Sequence, residues 1–361
     1  MRTTLHLMAL PPRALPPTRP STSRGNAAAF ALLLLLASSC GGLPGQSTPA
    51  DLITPSAAEK VVHSYWSVNE QALATFNPDL LTKVQATPLL EAQSASLKAA
   101  KAAGDPPLKA PRPLKKLTAY VPHQRHHPAQ FVALVETVKI DSSGKPTADP
   151  IAYYYRFTEQ SNGAPWKADF YVLAPTNAPQ QIALDSDGYA TALSPGQSGL
   201  VLTPEQLPAS LARYLETGIT TGSAQGPFAP GHLTTDAVKA LRDYRDAMDK
   251  LGYTVEIGYE ADRFVSAYRG SGGRAVVLFD VHSSDKIGVK DALHCIVQPK
   301  EDLHRWGGLL PPGSYSHLVE GRQLQFVAAD PPNKAGNSVD VPAYVDTQVS
   351  AEASPADPAC R

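Results

Sequence analysis

The segment FVALVETVKI, residues 131–140, is rich in β-branched residues and is followed by the turn DSSG at 141–144. Two further segments continue the pattern, IAYYYRFT at 151–158 and WKADFYVL at 166–173. Side chains alternate in both of them, as expected of strands whose two faces have different surroundings. The spacing therefore predicts an antiparallel sheet of successive strands.

Helices are predicted before this sheet. Ser56 and Glu59 have the spacing of a capping box, and apolar residues then recur at helical intervals up to Phe76. Further helical segments follow and end near Gly104. Helices followed by antiparallel strands are typical of an α+β unit, in which the helices pack on one face of the sheet.

The same order of elements recurs in the second half of the chain. The predicted helices lie at 203–218 and 236–251, and the predicted strands at 253–259, 264–268, 274–281, 292–298 and 323–328. We therefore expect two tandem α+β domains, at 55–199 and 200–345, followed by a C-terminal tail at 346–361. One larger mixed domain is the alternative.

The N-terminus has the layout of an export signal. Residues 27–37, AAAFALLLLLA, follow a segment with four arginines and no acidic residue, and Ser38, Ser39 and Cys40 come next. The apolar run is too short to cross a bilayer, which needs about 20 apolar residues. Residues 1–39 are therefore predicted to be a signal peptide.

Cys40 resembles the lipobox cysteine of bacterial lipoproteins, which is acylated and becomes the first residue of the mature chain. This resemblance implies that the chain binds the membrane itself through palmitate-type acyl chains on Cys40. It also implies a lipidated linker at 40–54. It places the folded chain at the extracytoplasmic face of the cell membrane. An ordinary cleaved signal peptide is one alternative, and an uncleaved membrane anchor, which the short apolar run disfavours, is the other.

The formal charge of the mature chain bears on the class of partner that it can bind. Residues 1–39 contain four of the 32 Lys and Arg residues and none of the 33 Asp and Glu residues, so the mature formal charge is −5. A chain with this negative charge lacks the basic character of a nucleic-acid-binding protein, so no nucleic acid is expected as a partner.

Export favours a disulfide between Cys295 and Cys360, with two free thiols as the alternative.

Four segments carry a further resemblance: YWSVNEQA at 65–72, NPDLL at 77–81, DSDGYAT at 185–191 and GGRAVV at 272–277. They are similar to landmarks of uncharacterised actinobacterial lipoproteins. The resemblance implies two tandem cystatin-like or nuclear-transport-factor-like units, cone-like in shape, each with helices on a curved antiparallel sheet. It implies no activity.

No motif predicts a metal, a cofactor or a catalytic residue. Imidazoles in HQRHH at 123–127 can bind zinc, but a catalytic site needs a further ligand, and a solvated loop is favoured. DSDG at 185–188 resembles a calcium loop, yet Ala190 and Gly196 occupy the positions that require Gly and an acidic residue. GSGG at 270–273 precedes a strand instead of a helix, so it predicts a hairpin turn.

Aromatic residues are concentrated on the predicted strands, and they are the candidate pocket residues: Tyr153, Tyr155, Phe157, Trp166 and Phe170. On the concave face of a cone they would line a site for an apolar ligand. Packing beneath the helices, with the tyrosine hydroxyls at the rim, is the favoured alternative.

The leading hypothesis is a non-enzymatic lipoprotein of the cell envelope that binds an envelope protein or a ligand. The alternative is an enzyme or a carrier of small apolar ligands that uses a pocket in one cone-like domain. Filled cones would favour the first, whereas a deep cavity with a buried His or carboxylate would favour the second.

Overall fold

The computed structural model describes residues 51–108, 110–141, 143–174, 182–298 and 309–357, together with Cys360. The predicted signal peptide and Cys40 lie outside the described residues. Contacts group Pro49–Arg361 into a single unit, within which two sheets share a core. The division into domains at residue 200 stays a prediction.

The first sheet follows a group of helices. In chain order the elements are α1 (Pro55–Thr75), α2 (Pro78–Leu81), α3 (Leu89–Ala103), β1 (Lys116–Tyr120), β2 (Ala129–Ile140), β3 (Pro146–Glu159) and β4 (Lys167–Ala174). The strands pair antiparallel in the order β1-β2-β3-β4. The expected order of helices and then strands is confirmed.

The start of α1 differs from the expectation. The Thr54 hydroxyl accepts a hydrogen bond from the Ala57 amide at 3.2 Å, and Pro55 is the first helical residue. Proline is favoured at this position because its missing N–H needs no partner there. The cap is therefore Thr54 and not Ser56.

The second sheet follows two helices. The elements are α4 (Leu207–Thr221), α5 (Thr235–Lys250), β5 (Tyr253–Arg269), β6 (Ala275–Val289), β7 (Ile296–Gln298), β8 (Gly313–Asp330) and β9 (Asp340–Pro355). The strand order is β5-β6-β8-β7, with β9 paired to β8. Together the two sheets and their helices confirm the α+β class and are consistent with two tandem units.

Every strand expected in the second half has different bounds in the structure. For example, β6 extends to Val289 instead of ending at 281, and β7 begins at Ile296 instead of 292. The two strands expected at 253–259 and 264–268 are one strand, β5, whose register shifts between Ala261 and Phe264. The strand expected at 323–328 is the end of the much longer β8, and β9 runs into the expected tail. Continuous pairing with a neighbouring strand extends β5, β8 and β9 beyond what local patterning indicates.

The two sheets pack through their inner faces, and the helices cover the outer faces. Tyr154 and Phe170 of the first sheet share one buried cluster with Leu278 and Val327 of the second. On the outer side of the second sheet, the phenyl rings of β6 and β8 pack against apolar side chains of α4 and α5. The layers are therefore helix, sheet, sheet and helix.

Two ion pairs, one buried and one half-buried, link the inner faces. Arg156 of β3 contacts Asp169 through Nη2 and Oδ2 at 2.5 Å and donates from Nη1 to the Val265 carbonyl at 2.7 Å. Arg263 of β5 contacts Asp280 through Nε and Oδ2 at 2.7 Å and donates from Nη2 to the Asp169 carbonyl at 3.2 Å. Each guanidinium thus bonds to both sheets, which fixes their relative position.

Asp280 is fully buried, and burial raises its pKa to about 6. Because the folded chain holds this proton more tightly than the unfolded chain, the stabilising contribution is present at low pH and is lost as pH rises through 6. The neighbouring Arg263 opposes the shift but does not cancel it.

We expect Asp280→Asn to remove this pH dependence. Between about pH 7.5 and about pH 5 the wild type should gain roughly 1 kcal/mol of unfolding free energy from this group, and the variant should not. Urea denaturation at both pH values measures the difference. Asp330, whose pKa is also about 6, titrates in the wild type and in the variant, so its contribution to the unfolding free energy cancels in the comparison. Parallel pH profiles would contradict the assignment.

Candidate functional site

The aromatic set of the first sheet is covered by α1. The Tyr65 ring lies 5.2 Å from the rings of both Tyr155 and Phe157, and all three side chains are buried. Trp166 lies 5.1 Å from the buried ring of Phe131. These contacts fill the face on which the sequence pattern predicted a pocket.

Phe170 does not belong to this face. In the register of β3 and β4, Tyr155 is opposite Tyr171, whereas Phe170 is opposite Arg156. Successive residues of a strand point to opposite sides, so Phe170 packs between the two sheets. The grouping of Phe170 with Tyr153 is therefore corrected.

A buried ion pair closes the rim of the aromatic set. Glu70 of α1 is 1% exposed, and its carboxylate accepts from Arg112 Nη2 at 2.6 Å and from the Arg112 amide at 2.8 Å. The guanidinium lies 5.3 Å from the Trp66 ring and 5.9 Å from the Tyr153 ring. The Trp66 indole in turn donates to the Arg112 carbonyl at 2.9 Å.

A polar network lies beneath α1 on the side of Tyr65. The Gln85 amide nitrogen lies 3.2 Å from the Tyr65 hydroxyl, 3.2 Å from Asn69 Oδ1 and 2.6 Å from Gln93 Oε1. Burial raises the pKa of Tyr65 well above its ordinary value, so the phenol stays protonated. The network anchors the helix on the sheet.

The structure brings together two segments that the sequence analysis treated separately. His123 Nδ1 lies 2.7 Å from Asp51 Oδ2, and His123 Nε2 lies 3.6 Å from Asp185 Oδ2. The Tyr189 ring stacks on the imidazole, with centroids 4.1 Å apart. The hydrogen bond to Asp51 and the charge of both carboxylates raise the pKa of His123.

An open cleft of about 480 Å³ adjoins this histidine, and its lining residues are His123, Gln124, Arg125, His126 and Pro128. His127 turns away and contacts Glu159 at 3.0 Å. Within the described ranges no three histidine, cysteine or acidic side chains are arranged to hold a metal ion.

The second sheet carries a charge cluster that sequence reasoning missed. Arg322 Nη2 lies 2.9 Å from Glu320 Oε2, Arg322 Nη1 lies 2.9 Å from Asp346 Oδ2, and Arg322 Nε lies 3.8 Å from Asp285 Oδ2. Burial raises the pKa of both Asp285 and Glu320. Three strands contribute these groups, so no spacing along the chain reveals them.

Cys295 and Cys360 form a disulfide in the structure, and their Cα atoms are 5.7 Å apart. Cys295 directly precedes β7, and the Tyr253 hydroxyl donates to its carbonyl at 3.0 Å. The bridge ties the end of the chain to the second sheet.

A family model described as a domain of unknown function, DUF8094, matches residues 49–353. The chain belongs to this family. The match begins close to α1 and ends within β9, so it includes both sheets. No curated protein and no solved structure matched the chain.

Membership in a family of unknown function agrees with the resemblance to uncharacterised proteins. It assigns no activity to the Arg112, His123 or Arg322 groups. In the part of the chain that the structure describes, no helix combines the length and apolar character needed to span a membrane.

We expect Arg112→Ala to be strongly destabilising because it leaves the Glu70 carboxylate buried without its cation. The loss should be about 3–5 kcal/mol, measured by urea denaturation. Replacing both partners with leucine should restore most of this loss, since no unpaired charge remains.

Lys239→Ala is the matched control, because Lys239 and Asp243 form an exposed ion pair on α5. Its effect should be below about 1 kcal/mol. Equal effects of the two alanine variants would show that the Glu70–Arg112 pair does not hold α1 on the sheet.

Proposed function

We propose that the chain is a lipid-anchored binding module at the extracytoplasmic face of the cell membrane, tethered through acyl chains on Cys40. The basic flank, the short apolar run and the cysteine at the end of the signal support this address. The Gly-, Pro- and Ser-containing segment at 41–50 would let the folded body stand off the lipid.

The structural observation that best supports an extracytoplasmic location is the disulfide between Cys295 and Cys360. Disulfides persist in exported proteins and are rare in the reducing cytosol. A 65-residue separation lets such a bridge constrain the unfolded chain strongly, by roughly 4 kcal/mol in the chain-entropy model. This stabilisation would be lost in a reducing compartment.

The binding role rests on how the first sheet is covered. Tyr65 and Trp66 of α1 fill the face that would otherwise form an apolar cavity. The described residues assemble no catalytic set, and the aromatic face is filled, so the body is suited to recognition through its surface. The expected partner is another protein of the envelope.

We expect Cys40→Ala to release the protein from membranes. Without the thiol no acyl chain can be attached, and each buried CH₂ group of such a chain contributes about 0.8 kcal/mol to membrane binding. Fractionation of cells and mass measurement of the mature N-terminus test this. Ser47→Ala, in the same linker, should remain bound. Retention of the Cys40 variant would refute the tether.

A second candidate function is carriage of a small apolar ligand. The observation that favours it is a cleft of about 320 Å³ beside α1, lined by Lys60, Val61, Ser64, Tyr65, Val84 and Trp166. This volume lies at the lower end of ligand sites, which range over about 300–1,000 Å³.

Titration with a fluorescent fatty acid separates the two functions. A surface-binding module should show no saturable uptake, because the aromatic face is already filled. A carrier should bind about one equivalent, and Val61→Trp, which fills the cleft, should abolish that binding. Leu293→Trp, at an exposed position, is the control for the added indole.

A further inference from the structure

We propose that the N-terminal half of β5 accepts an extended, basic segment of a partner protein as an additional strand. This free edge comprises residues 253–262, YTVEIGYEAD. The inference rests on the proposed surface-binding role, and it adds the site and the chemistry of the partner.

The backbone of the free edge directs hydrogen-bonding groups away from the sheet. The Lys290 amide donates to the Gly252 carbonyl at 2.8 Å, and the β5–β6 register then runs without a shift over 253–261. Hydrogen-bonded pairs alternate with other pairs in an antiparallel ladder. The even-numbered residues of 254–260 therefore bond to β6, and the odd-numbered residues of 253–261 point their amides and carbonyls outward.

The C-terminal half of β5 already pairs on this outer side. The Arg269 amide donates to the Thr191 carbonyl at 2.9 Å, and the Leu193 amide donates to the Ala267 carbonyl at 2.9 Å. Among the residues that the structure describes, no backbone hydrogen bond continues this pairing along 253–261. The fold therefore adds an extended segment to one half of β5, and the described chain leaves the other half unpaired.

The helices cover one face of β5 without closing its edge. Val255 and Ile257 pack with Met248 of α5, whereas Glu260 and Ala261 are exposed. In an added strand, alternate side chains would lie beside Val255 and Ile257, and the others would lie on the face of Glu260. The partner segment therefore needs apolar residues at every second position.

The exposed face of the free edge is acidic. Glu256 and Glu260 share this face, and Asp262 contacts His282 at 3.2 Å on the neighbouring strand. Lys286 is opposite Glu256 in the register. Carboxylates therefore outnumber permanent cations on this face of the free edge.

The other face of the sheet adds to the negative charge. Asp285 is opposite Ile257 in the register, and it lies 3.8 Å from Arg322. The same guanidinium also contacts Glu320 and Asp346. Carboxylates therefore outnumber cations in this cluster as well.

These charges define the chemistry of the partner. Arg263 follows the free edge, but it is paired with the buried Asp280 at 2.7 Å. The electrostatic potential at the edge therefore favours lysine or arginine in the added strand. Main-chain hydrogen bonds supply affinity in strand addition, and alternate side chains supply specificity. The occupant is thus an extended segment in which basic and apolar residues alternate.

The same charges disfavour a second copy of this chain as the occupant. If two free edges paired antiparallel, their even-numbered side chains would share one face of the joined sheet. Glu256 and Glu260 of both copies would then lie close together, and like charges on neighbouring strands are destabilising. A basic partner strand removes this repulsion.

The experiment uses the isotope-labelled mature chain and a synthetic peptide of about eight residues in which lysine and valine alternate. Hydrogen exchange of single amides is measured by NMR with and without the peptide. One control peptide has glutamate in place of lysine. A second control peptide carries N-methyl groups on its valine amides, so it keeps the charge but loses the main-chain donors that an antiparallel neighbour needs.

We expect the lysine–valine peptide to slow exchange of the Val255, Ile257 and Tyr259 amides at least about fivefold, because these amides gain a hydrogen-bond partner. The amides of Glu256 and Gly258 already bond to β6, so their exchange should change less than about twofold. Neither control peptide should produce this alternation.

Two variants test the backbone and the charge separately, with fluorescence anisotropy of the labelled peptide as the binding measurement. Ile257→Pro removes an outward-facing N–H without removing a bond to β6, and it should weaken binding at least about tenfold, whereas Ile257→Val should not. Glu260→Lys should also weaken binding at least about tenfold. Glu352→Lys makes the same charge change at an exposed position of β9 and should bind like the wild type.

Three results would overturn the inference. Unchanged exchange at the odd-numbered amides would remove the added strand, and equal binding of the N-methylated peptide would leave only general charge attraction. Slowing without peptide that grows with protein concentration would indicate a second copy. The fatty-acid titration does not involve the free edge, so it tests the surface-binding role separately from this strand.

Discussion

Packing of two β-sheets through their inner faces is the constraint on which the other features depend. Tyr154 and Phe170 from one sheet meet Leu278 and Val327 from the other, and none of these side chains is exposed to solvent. Hydrophobic packing is not directional. The hydrogen bonds that Arg156 and Arg263 donate across this layer are directional, so they fix how the two sheets are oriented. Because the inner faces are occupied, the helices have to cover the outer faces.

This arrangement explains why most aromatic side chains of the first sheet are packed beneath α1 or between the two sheets. The outer face of the first sheet is covered by α1, which is held by the Glu70–Arg112 pair and by a network of amides around Tyr65. The charge cluster at Arg322 lies on β8 and contacts side chains of β6 and β9.

The features that bear on function lie at the start and at the end of the described chain. Asp51 contacts His123 at 2.7 Å, so the described chain begins beside this histidine. The disulfide to Cys360 secures the opposite terminus.

The sequence by itself determined the elements whose signal is local. Apolar periodicity located the helices, and alternation located most strands. The expected acylation of Cys40 left Cys295 and Cys360 as the cysteine pair for a bridge. Tertiary structure decided which side chains meet. The cross-strand register places Phe170 on the inner face. Pairing along the sheet makes β5 one continuous strand and makes β8 and β9 longer than expected. His123 and Asp185, or Arg322 and Asp285, converge from distant segments, and no local pattern encodes such contacts because they depend on how the sheets and loops pack.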